Sequence, residues 1–218
     1  TARVLSRYLD GIMIRTFSQK DVETLAKVAS IPIINGLTDD EHPCQVLADL
    51  MTIREKKLIL DGLKVAYIGD GNNMCNSLLV ACLTLGINVF IANPSDYKPP
   101  AYYINKGHEL ANKNGVSFFM TTSPEEAVKD VDVIVTDVWA SMGQEEECDK
   151  RRIDFDGYQV NKKLLTLAKE DTIVLHCLPA HRGEEITNEI LEAHADTIFE
   201  EAENRLHAQK AVLVKLLK

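Results

Sequence analysis

Short apolar runs alternate along the chain with stretches in which apolar residues recur every three or four positions. The runs predict buried strands, and the helical spacing predicts helices that cover them. In the larger, C-terminal part, strands are expected at residues 64–69, 88–92, 116–120, 131–137 and 172–177, and helices at 75–85, 101–114, 124–129 and 161–168. This alternation predicts an α/β fold with a doubly wound parallel sheet of Rossmann-like type.

The first 57 residues show the same alternation on a smaller scale. Strands are expected at 11–16 and 31–35, and helices at 1–9, 21–29 and from Pro43 onward. An amphipathic helix is expected at the end of the chain, with Leu206, Val212, Leu213 and Leu216 as its packing residues. The sequence therefore divides into residues 1–57 with a linking helix, a main domain at 58–202, and a C-terminal helix at 203–218.

Composition narrows the class of protein. The chain has 218 residues, with 24 Lys and Arg against 33 Asp and Glu, and a formal net charge of −9. An acidic chain without basic clusters is a poor match for nucleic acid or an anionic membrane, and no apolar stretch approaches the roughly 20 residues that span a bilayer. The five cysteines form no C-x-x-C pair and the six histidines are scattered. We therefore expect a soluble, cytoplasmic protein without a metal site.

Polar residues follow several of the predicted strands at the point where each strand ends. Arg15, Asn73, Asp137 and Cys177 all lie at or just beyond such ends. In open α/β sheets, ligands bind beyond the carboxyl ends of the strands, near the switch in strand order. The first and fourth strands of the main domain should flank that switch. Asn73 and Asp137 are therefore expected to face one crevice.

The segment that opens with Asp137 is a candidate functional loop. Residues 140–157 are polar and longer than an ordinary connection. An Asp at a strand end is usually a turn residue. Here it is followed by Trp139, the only tryptophan, and by a Ser-Met-Gly turn, which favours a loop that grips a ligand.

The turn at residues 69–74 (GDGNNM) matches a dinucleotide-binding fingerprint only in part. Met74 replaces the third glycine, and Asn93 stands where an acidic residue would hold a ribose hydroxyl. No nicotinamide or other cofactor is therefore expected. The turn is either a plain strand-to-helix connection or a place from which Asn73 points its amide into the crevice.

Other residues admit a functional and a structural interpretation. His42 and Gln45 project from the first turn of a predicted helix, where the helix dipole favours an anion; capping and packing explain the same pattern. Cys177 beside His176 could be a nucleophile or an inert buried thiol. Arg205 could be a surface charge or a bidentate partner for phosphate.

Taken in order, these segments resemble the ornithine carbamoyltransferases. The motifs are TARVL at 1–5, HPCQ at 42–45, GDGNNM at 69–74, DVWASMG at 137–143, HCLP at 176–179 and ENR at 203–205. The resemblance runs over essentially the whole chain, and the motifs are specific together although each is weak alone. It implies carbamoyl transfer from carbamoyl phosphate to the δ-amine of L-ornithine, giving L-citrulline and phosphate. Such a step belongs to arginine biosynthesis or the urea cycle.

The resemblance implies roles for residues in both halves of the site. Arg15, His42 and Gln45 would bind carbamoyl phosphate. Arg15 and His42 would polarise its carbonyl oxygen, and Arg205 would add a phosphate or carbonyl contact. The amine would attack directly, without a covalent intermediate. The residues around ornithine would be Asn73, Asp137, Ser141 and Met142 at its amino-acid end, with Asp137 on the α-ammonium group, and Cys177 and Leu178 near the reacting amine.

One feature of the family has no counterpart in the 218 residues, namely its phosphate-gripping Ser-Thr-Arg-Thr motif. We therefore expect residues 1–57 to be the last part of a carbamoyl-phosphate domain, to which the helix at 203–218 returns. Residues 58–202 would be the ornithine domain, and the 218 residues alone are expected to lack transfer activity. Because the family is trimeric, a homotrimer or higher homo-oligomer is expected for the full-length protein.

Alternative assignments remain open at this point. Aspartate carbamoyltransferases share the fold but are expected to differ in the loop at 137–143. Transferases for putrescine or acetylated ornithine are closer, and the Ser-Met-Gly turn disfavours them. Outside this class, the alternatives are a nucleotide-binding module and an inactive fragment that only binds or assembles.

Overall fold

The computed structural model describes residues 1–141 and 143–217 of the chain. Within these ranges the N-terminal part forms a small parallel sheet of β1 (Ile12–Arg15) and β2 (Ile33–Leu37). The helices α1 (Ala2–Leu5) and α2 (Gln19–Val28) accompany it. A long helix, α3 (Pro43–Lys57), leads from this sheet to the rest of the chain.

The larger sheet has five strands that are all parallel to their neighbours. They are β3 (Lys64–Ile68), β4 (Asn88–Ala92), β5 (Phe118–Thr121), β6 (Val133–Thr136) and β7 (Ile173–His176), in the spatial order β5-β4-β3-β6-β7. The order reverses between β3 and β6, which makes the carboxyl ends of these strands the switch point. The prediction of a doubly wound α/β fold is confirmed.

Helices connect the strands and extend the chain beyond β7. They are α4 (Asn73–Thr84), α5 (Ala101–Asn114), α6 (Pro124–Ala127), α7 (Cys148–Asp154), α8 (Lys162–Leu165), α9 (Asn188–Ala193) and α10 (Ala195–Leu216), with a 3-10 turn at Glu145–Glu147. Several begin at a side-chain cap, since Asn72, Ser123 and Thr187 accept hydrogen bonds from backbone N–H groups of α4, α6 and α9. Across the described residues, no helix combines the length and the apolar character needed to cross a membrane.

Both faces of the larger sheet are buried, which explains why its strands are nearly continuous apolar runs. Along β3, Val65 and Tyr67 pack into one core with residues of α3, α4 and α5. Ala66 and Ile68 pack into a second core on the other face, beside Trp139. The polar chemistry is thereby confined to the ends of the strands.

Two α-helices, α7 and α9, were missed by the sequence patterns. The stretch at 140–157, predicted as a loop, contains the 3-10 turn and α7. The helix α9 after β7 was not predicted either. Both are short helices whose few apolar positions do not establish a helical period.

The C-terminal helix differs from its prediction in length and in its packing face. It begins at Ala195 rather than at residue 203. Of the four predicted packing residues, Val212 is half-buried, whereas Leu206, Leu213 and Leu216 are exposed, so the prediction is wrong for the three leucines. Instead the buried positions are Ile198, Glu201, Asn204 and Ala208. Two of these four are polar and are buried through hydrogen bonds, which a search for apolar residues does not detect.

Candidate functional site

The carboxyl ends of β3, β6 and β7 meet at one edge of the larger sheet. The strand register places Ile68 opposite Thr136, and Thr136 opposite His176. The residues that follow these strands are therefore neighbours in space. Asp137 and Cys177 come into contact although they are 40 positions apart in the chain.

Asp137 is a buried carboxylate at the centre of this edge. Its Oδ2 accepts a hydrogen bond from Asn72 Nδ2 at 2.7 Å. Its Oδ1 accepts from Cys177 Sγ at 3.0 Å and from the backbone N–H of Val138 at 2.8 Å. All three donors are neutral, so none of them supplies a positive charge to pair with this group.

The amide that reaches Asp137 belongs to Asn72, which the sequence did not single out. Asn72 caps α4, because its Oδ1 accepts from the backbone N–H groups of Met74 at 3.0 Å and Cys75 at 3.2 Å. Its Nδ2 is then free to donate to Asp137 and, at 3.3 Å, to Ser141 Oγ. An asparagine just before a helix is a recognisable capping signal, and that signal could have identified it.

Asn73 points elsewhere in this structure. Its Nδ2 donates to the backbone carbonyl of Thr38 at 2.7 Å, which joins the first turn of α4 to the segment between β2 and α3. The expectation that the Asn73 amide faces Asp137 is therefore corrected. The capping geometry gives that position to the preceding asparagine.

Gly71, the second glycine of the partial dinucleotide fingerprint, has a structural explanation. A Cβ atom at Gly71 would lie 2.2 Å from the backbone nitrogen of Pro99. The turn needs a glycine because two segments of the chain pass close together here. A phosphate is not required to explain it.

His42 is buried, with 6% of its surface exposed, and it is the N-cap residue of α3. Its backbone N–H donates to Ser77 Oγ at 2.7 Å. Burial, together with the positive charges of Arg205 and Arg15, lowers the pKa of His42 from 6.5 to about 3. The imidazole is therefore neutral at physiological pH, and its Nδ1 has no hydrogen-bond partner among the described residues.

Gln45 and Arg205 form a fixed pair beside His42. Arg205 donates from one terminal guanidinium nitrogen to Gln45 Oε1 at 2.7 Å. Gln45 is buried, and its Nε2 donates to Asp49 Oδ1 at 2.8 Å and to Glu201 Oε1 at 2.9 Å. The guanidinium is thus held by a buried amide on one side, and on the other its Nε and second terminal nitrogen lie 2.8 and 2.9 Å from the side-chain amide of Gln209.

The structure brings the predicted anion-binding residues together from three elements. Arg15 ends β1 and is exposed, and its charge acts on His42, as does that of Arg205 from α10. Glu201 connects this group to the strand ends, because its Oε2 accepts from the backbone N–H of His176 at 2.9 Å. A surface role alone does not describe Arg205, which is bonded to the buried Gln45.

The remaining predicted residues lie in the loops after β6 and β7. The Ser141 N–H donates to Gln144 Oε1 at 3.0 Å, and the Ser141 hydroxyl lies beside Asn72. Met142 falls outside the described residues. Leu178 is half-buried and has a φ of 52°. That conformation is uncommon for a residue other than glycine, so the surrounding structure holds Leu178 in a strained backbone state.

A buried ion pair anchors the base of the loop after β6. Arg151 donates to Asp70 Oδ2 at 2.7 Å and to the carbonyl of Trp139 at 2.7 Å. Its guanidinium carbon lies 4.9 Å from the centroid of the Tyr97 ring. The two charged residues are 81 positions apart, and no local pattern pointed to their pairing.

Cys177 is held as a thiol. Burial and the nearby Asp137 carboxylate raise the pKa of Cys177 well above its usual range. His176 is not available as a base, because its Nδ1 accepts from the Leu178 N–H at 2.9 Å and its Nε2 lies 2.9 Å from Glu185 Oε1. Of the two interpretations of Cys177, the geometry agrees with the inert thiol.

In the part of the chain that the structure describes, two groups of side chains have spacings that could suit a metal ion. Asp137, His176 and Cys177 offer ligand atoms within 4.8 Å of one another, as do His181, Glu184 and Glu185. In the first group, both ring nitrogens of the histidine and the thiol proton are engaged with protein partners. Hydrogen bonds within the protein therefore explain that group.

Comparison with sequence families matches nearly the whole chain. The profile of the aspartate/ornithine carbamoyltransferase Asp/Orn-binding domain matches residues 61–216, and that of the carbamoyl-P-binding domain matches residues 1–55. The ornithine carbamoyltransferase of Thermococcus kodakarensis is 55% identical over 217 residues, which cover 100% of this chain and 69% of that protein. The enzyme of the same name from Pyrococcus horikoshii is 56% identical and is covered to 68%.

Solved structures give the same result for the fold. The ornithine carbamoyltransferase from Pyrococcus furiosus superposes with a TM-score of 0.94 at 53% identity, over 99% of this chain and 69% of that one. The anabolic ornithine carbamoyltransferase from Campylobacter jejuni gives a TM-score of 0.95 at 42% identity, over 99% of this chain and 71% of that one. The similarity includes both sheets and the helices between them.

Proposed function

The chain belongs to the aspartate/ornithine carbamoyltransferase family of enzymes, and on this premise we propose that it transfers the carbamoyl group of carbamoyl phosphate to the δ-amine of L-ornithine. The products are L-citrulline and phosphate. One observation carries the proposal: the strand ends that hold the buried carboxylate of Asp137 are linked by hydrogen bonds to the Gln45–Arg205 pair beside the neutral His42. Glu201 connects the two halves through Gln45 and β7.

The carboxylate half supports an amino-acid acceptor. Asp137 has three neutral hydrogen-bond donors around it, so an ammonium group of a ligand would supply the opposite charge. We propose that the α-ammonium of ornithine takes this position, with Asn72, Ser141 and Met142 around the same end of the substrate. Leu178 would line the path to the reacting amine.

The cationic half supports an anionic carbamoyl donor. Arg15 and Arg205 would bind the phosphate and carbonyl oxygens, and Gln45 would fix the position of Arg205. The neutral imidazole of His42 can donate one hydrogen bond to the carbonyl oxygen as negative charge develops there. A neutral donor in a buried position stabilises that charge without adding a cation that must itself be desolvated.

The chemical step is then a direct displacement. The δ-nitrogen forms a bond to the carbonyl carbon, the bond from that carbon to the phosphate oxygen breaks, and phosphate leaves with the bonding electrons. The amine attacks in its neutral form, and the proton that its nitrogen then loses is taken up by the departing phosphate, which leaves as hydrogen phosphate. Cys177 takes no covalent part, because its thiol is protonated and engaged with Asp137.

An assay of the protein purified from its natural source, rather than of the 218 residues alone, tests the proposal with carbamoyl phosphate and L-ornithine. We expect citrulline and phosphate in equal amounts, and no citrulline when ornithine is omitted. Parallel reactions with putrescine and N-acetylornithine should give little product. Carbamoylation of either of these in preference to ornithine, or phosphate release without a carbamoylated product, would contradict the assignment.

We also propose the setting in which the enzyme works. All five cysteines are free thiols, which agrees with a reducing cytoplasm. Apolar side chains of the N-terminal part such as Val4, Tyr8 and Met13 are exposed, which agrees with further packing in a homotrimer. A role in arginine biosynthesis follows from the proposed product. Residues 1–57 would belong to the carbamoyl-phosphate domain and residues 58–202 to the ornithine domain.

A further inference from the structure

Two buried carboxyl groups face each other where α3 packs against α10. Asp49 has 0% of its surface exposed and Glu201 has 1%. They are 152 positions apart by residue number, and the same Gln45 Nε2 donates to one oxygen of each, at 2.8 and 2.9 Å. The two groups therefore share a single polar site inside an otherwise packed interface.

The hydrogen bonds around this site leave it one donor short. Glu201 accepts from Gln45 with one oxygen and from the backbone N–H of His176 with the other. Asp49 accepts from Gln45 with Oδ1, while its Oδ2 has no donor among the described residues when both groups are ionised. A proton on Glu201 would provide that donor, because the two carboxyl groups lie within hydrogen-bonding reach.

Electrostatics points in the same direction. Burial raises the pKa of Asp49 and that of Glu201, and the carboxyl group of Asp49 raises the pKa of Glu201 further. Arg205 opposes the effect on Asp49 without touching it, while Asp137 adds to the effect from the end of β6. The other titratable groups facing the pair are the thiols of Cys82 on α4 and Cys177 after β7. Two carboxylates so placed cannot both remain ionised at low cost.

We propose that Asp49 and Glu201 hold one proton between them at neutral pH and act as positioning residues for Gln45 and Arg205. Asp49 and Glu201 accept both N–H groups of the Gln45 side-chain amide. The Oε1 of Gln45 must therefore point toward Arg205. The guanidinium is thereby fixed beside His42. The expected change in the KM for carbamoyl phosphate rests on the proposed function, whereas the protonation of Asp49 and Glu201 does not.

Carboxyl ¹³C NMR of the native protein tests the protonation directly. The carboxyl carbons of Asp and Glu side chains are labelled with ¹³C, and their chemical shifts are followed from pH 5 to pH 9. The variants Asp49→Asn and Glu201→Gln assign the two resonances. We expect one of the two carboxyl groups to remain protonated at pH 7 and the other to be ionised. Two ionised groups, or two protonated groups, at pH 7 would overturn the proposal.

Steady-state kinetics tests the positioning role. Glu201→Ala should raise the KM for carbamoyl phosphate about tenfold or more, which corresponds to the loss of one fixed contact, and should change kcat less. Glu201→Gln keeps a neutral donor toward Asp49 and should recover most of that loss. Asp196→Asn, on an exposed residue of the same helix, is the matched control and should match the native protein.

The outcomes separate the two proposals. A protein with one shared proton but no citrulline formation would refute the proposed function and keep the protonation of the pair. An active enzyme in which Glu201→Gln is as impaired as Glu201→Ala would refute the positioning role. An active enzyme with both carboxyl groups ionised would refute the inference as a whole.

Discussion

The free energy of unfolding of the native protein should decrease as the pH falls below 7, because His42 is buried and neutral. Replacing His42 with glutamine is predicted to abolish this part of the decrease. Burial, aided by the charges of Arg205 and Arg15, lowers the pKa of His42 from 6.5 to about 3. The unfolded chain therefore binds a proton at this residue below pH 6.5, whereas the folded protein does so only near pH 3. The free energy of unfolding decreases as the pH falls through this window.

The magnitude follows from the gap between the two values. For each unit of pH below 6.5, the free energy of unfolding decreases by about 1.4 kcal/mol, until the folded protein also binds the proton. At pH 5 the loss is thus about 2 kcal/mol, and at pH 7 it is close to zero. The pKa values of Asp49 and Glu201 are raised, so these residues give the opposite slope. Because both proteins contain them, their contribution cancels in the comparison.

Urea unfolding at pH 7 and pH 5, followed by the fluorescence of the single buried Trp139, measures the effect. The decrease in unfolding free energy between the two pH values should be about 2 kcal/mol smaller in His42→Gln than in the native protein. His108→Gln removes an exposed histidine and should behave as the native protein does. An equal decrease in His42→Gln and the native protein would refute the assignment of a neutral, buried His42.

Three further predictions concern the loop and the chemical step. Arg151→Met should destabilise the protein by about 3–5 kcal/mol in urea unfolding, because it leaves Asp70 buried without its ion pair; a loss below about 1 kcal/mol would show that the pair does not anchor the loop. Cys177→Ser should retain turnover, and mass spectrometry of the native enzyme during turnover should detect no carbamoyl group on sulfur; loss of all activity together with such an adduct would favour a covalent route. The transfer rate should rise with pH through the alkaline range, since the attacking amine resembles a lysine amine with a free pKa of about 10.4; a rate independent of pH would place another step in control.

Much of the fold could be predicted because its strands are buried on both faces and leave apolar runs in the sequence. The contact between Asp137 and Cys177 follows from the same pattern, since parallel strands place their carboxyl ends side by side. The choice between adjacent asparagines was harder. Alternation along the chain locates the turn, but only the capping of α4 by Asn72 decides which amide reaches Asp137.

Buried polar pairs account for most of what the sequence could not predict. Glu201 and Gln45 are 156 positions apart, and Arg151 and Asp70 are 81 apart. A charged residue on a predicted helix is expected to face solvent unless its buried partner is known. The packing face of α10 was predicted wrongly for this reason. Hydrogen bonds of the buried Glu201, rather than apolar contacts of the leucines, determine which face of the helix packs.

The central claim, that Asp137 holds the α-ammonium of ornithine while the δ-amine is carbamoylated, is tested most directly by comparing two acceptors. L-Ornithine and 5-aminopentanoate share the reacting amine and the carboxylate, and only ornithine carries the α-ammonium group. A buried carboxylate left without its cation costs several kcal/mol, so kcat/KM for 5-aminopentanoate should be at least ~100-fold lower with the native enzyme. Asp137→Asn should lose most of this preference. Comparable kcat/KM values for the two acceptors with the native enzyme would contradict the claim.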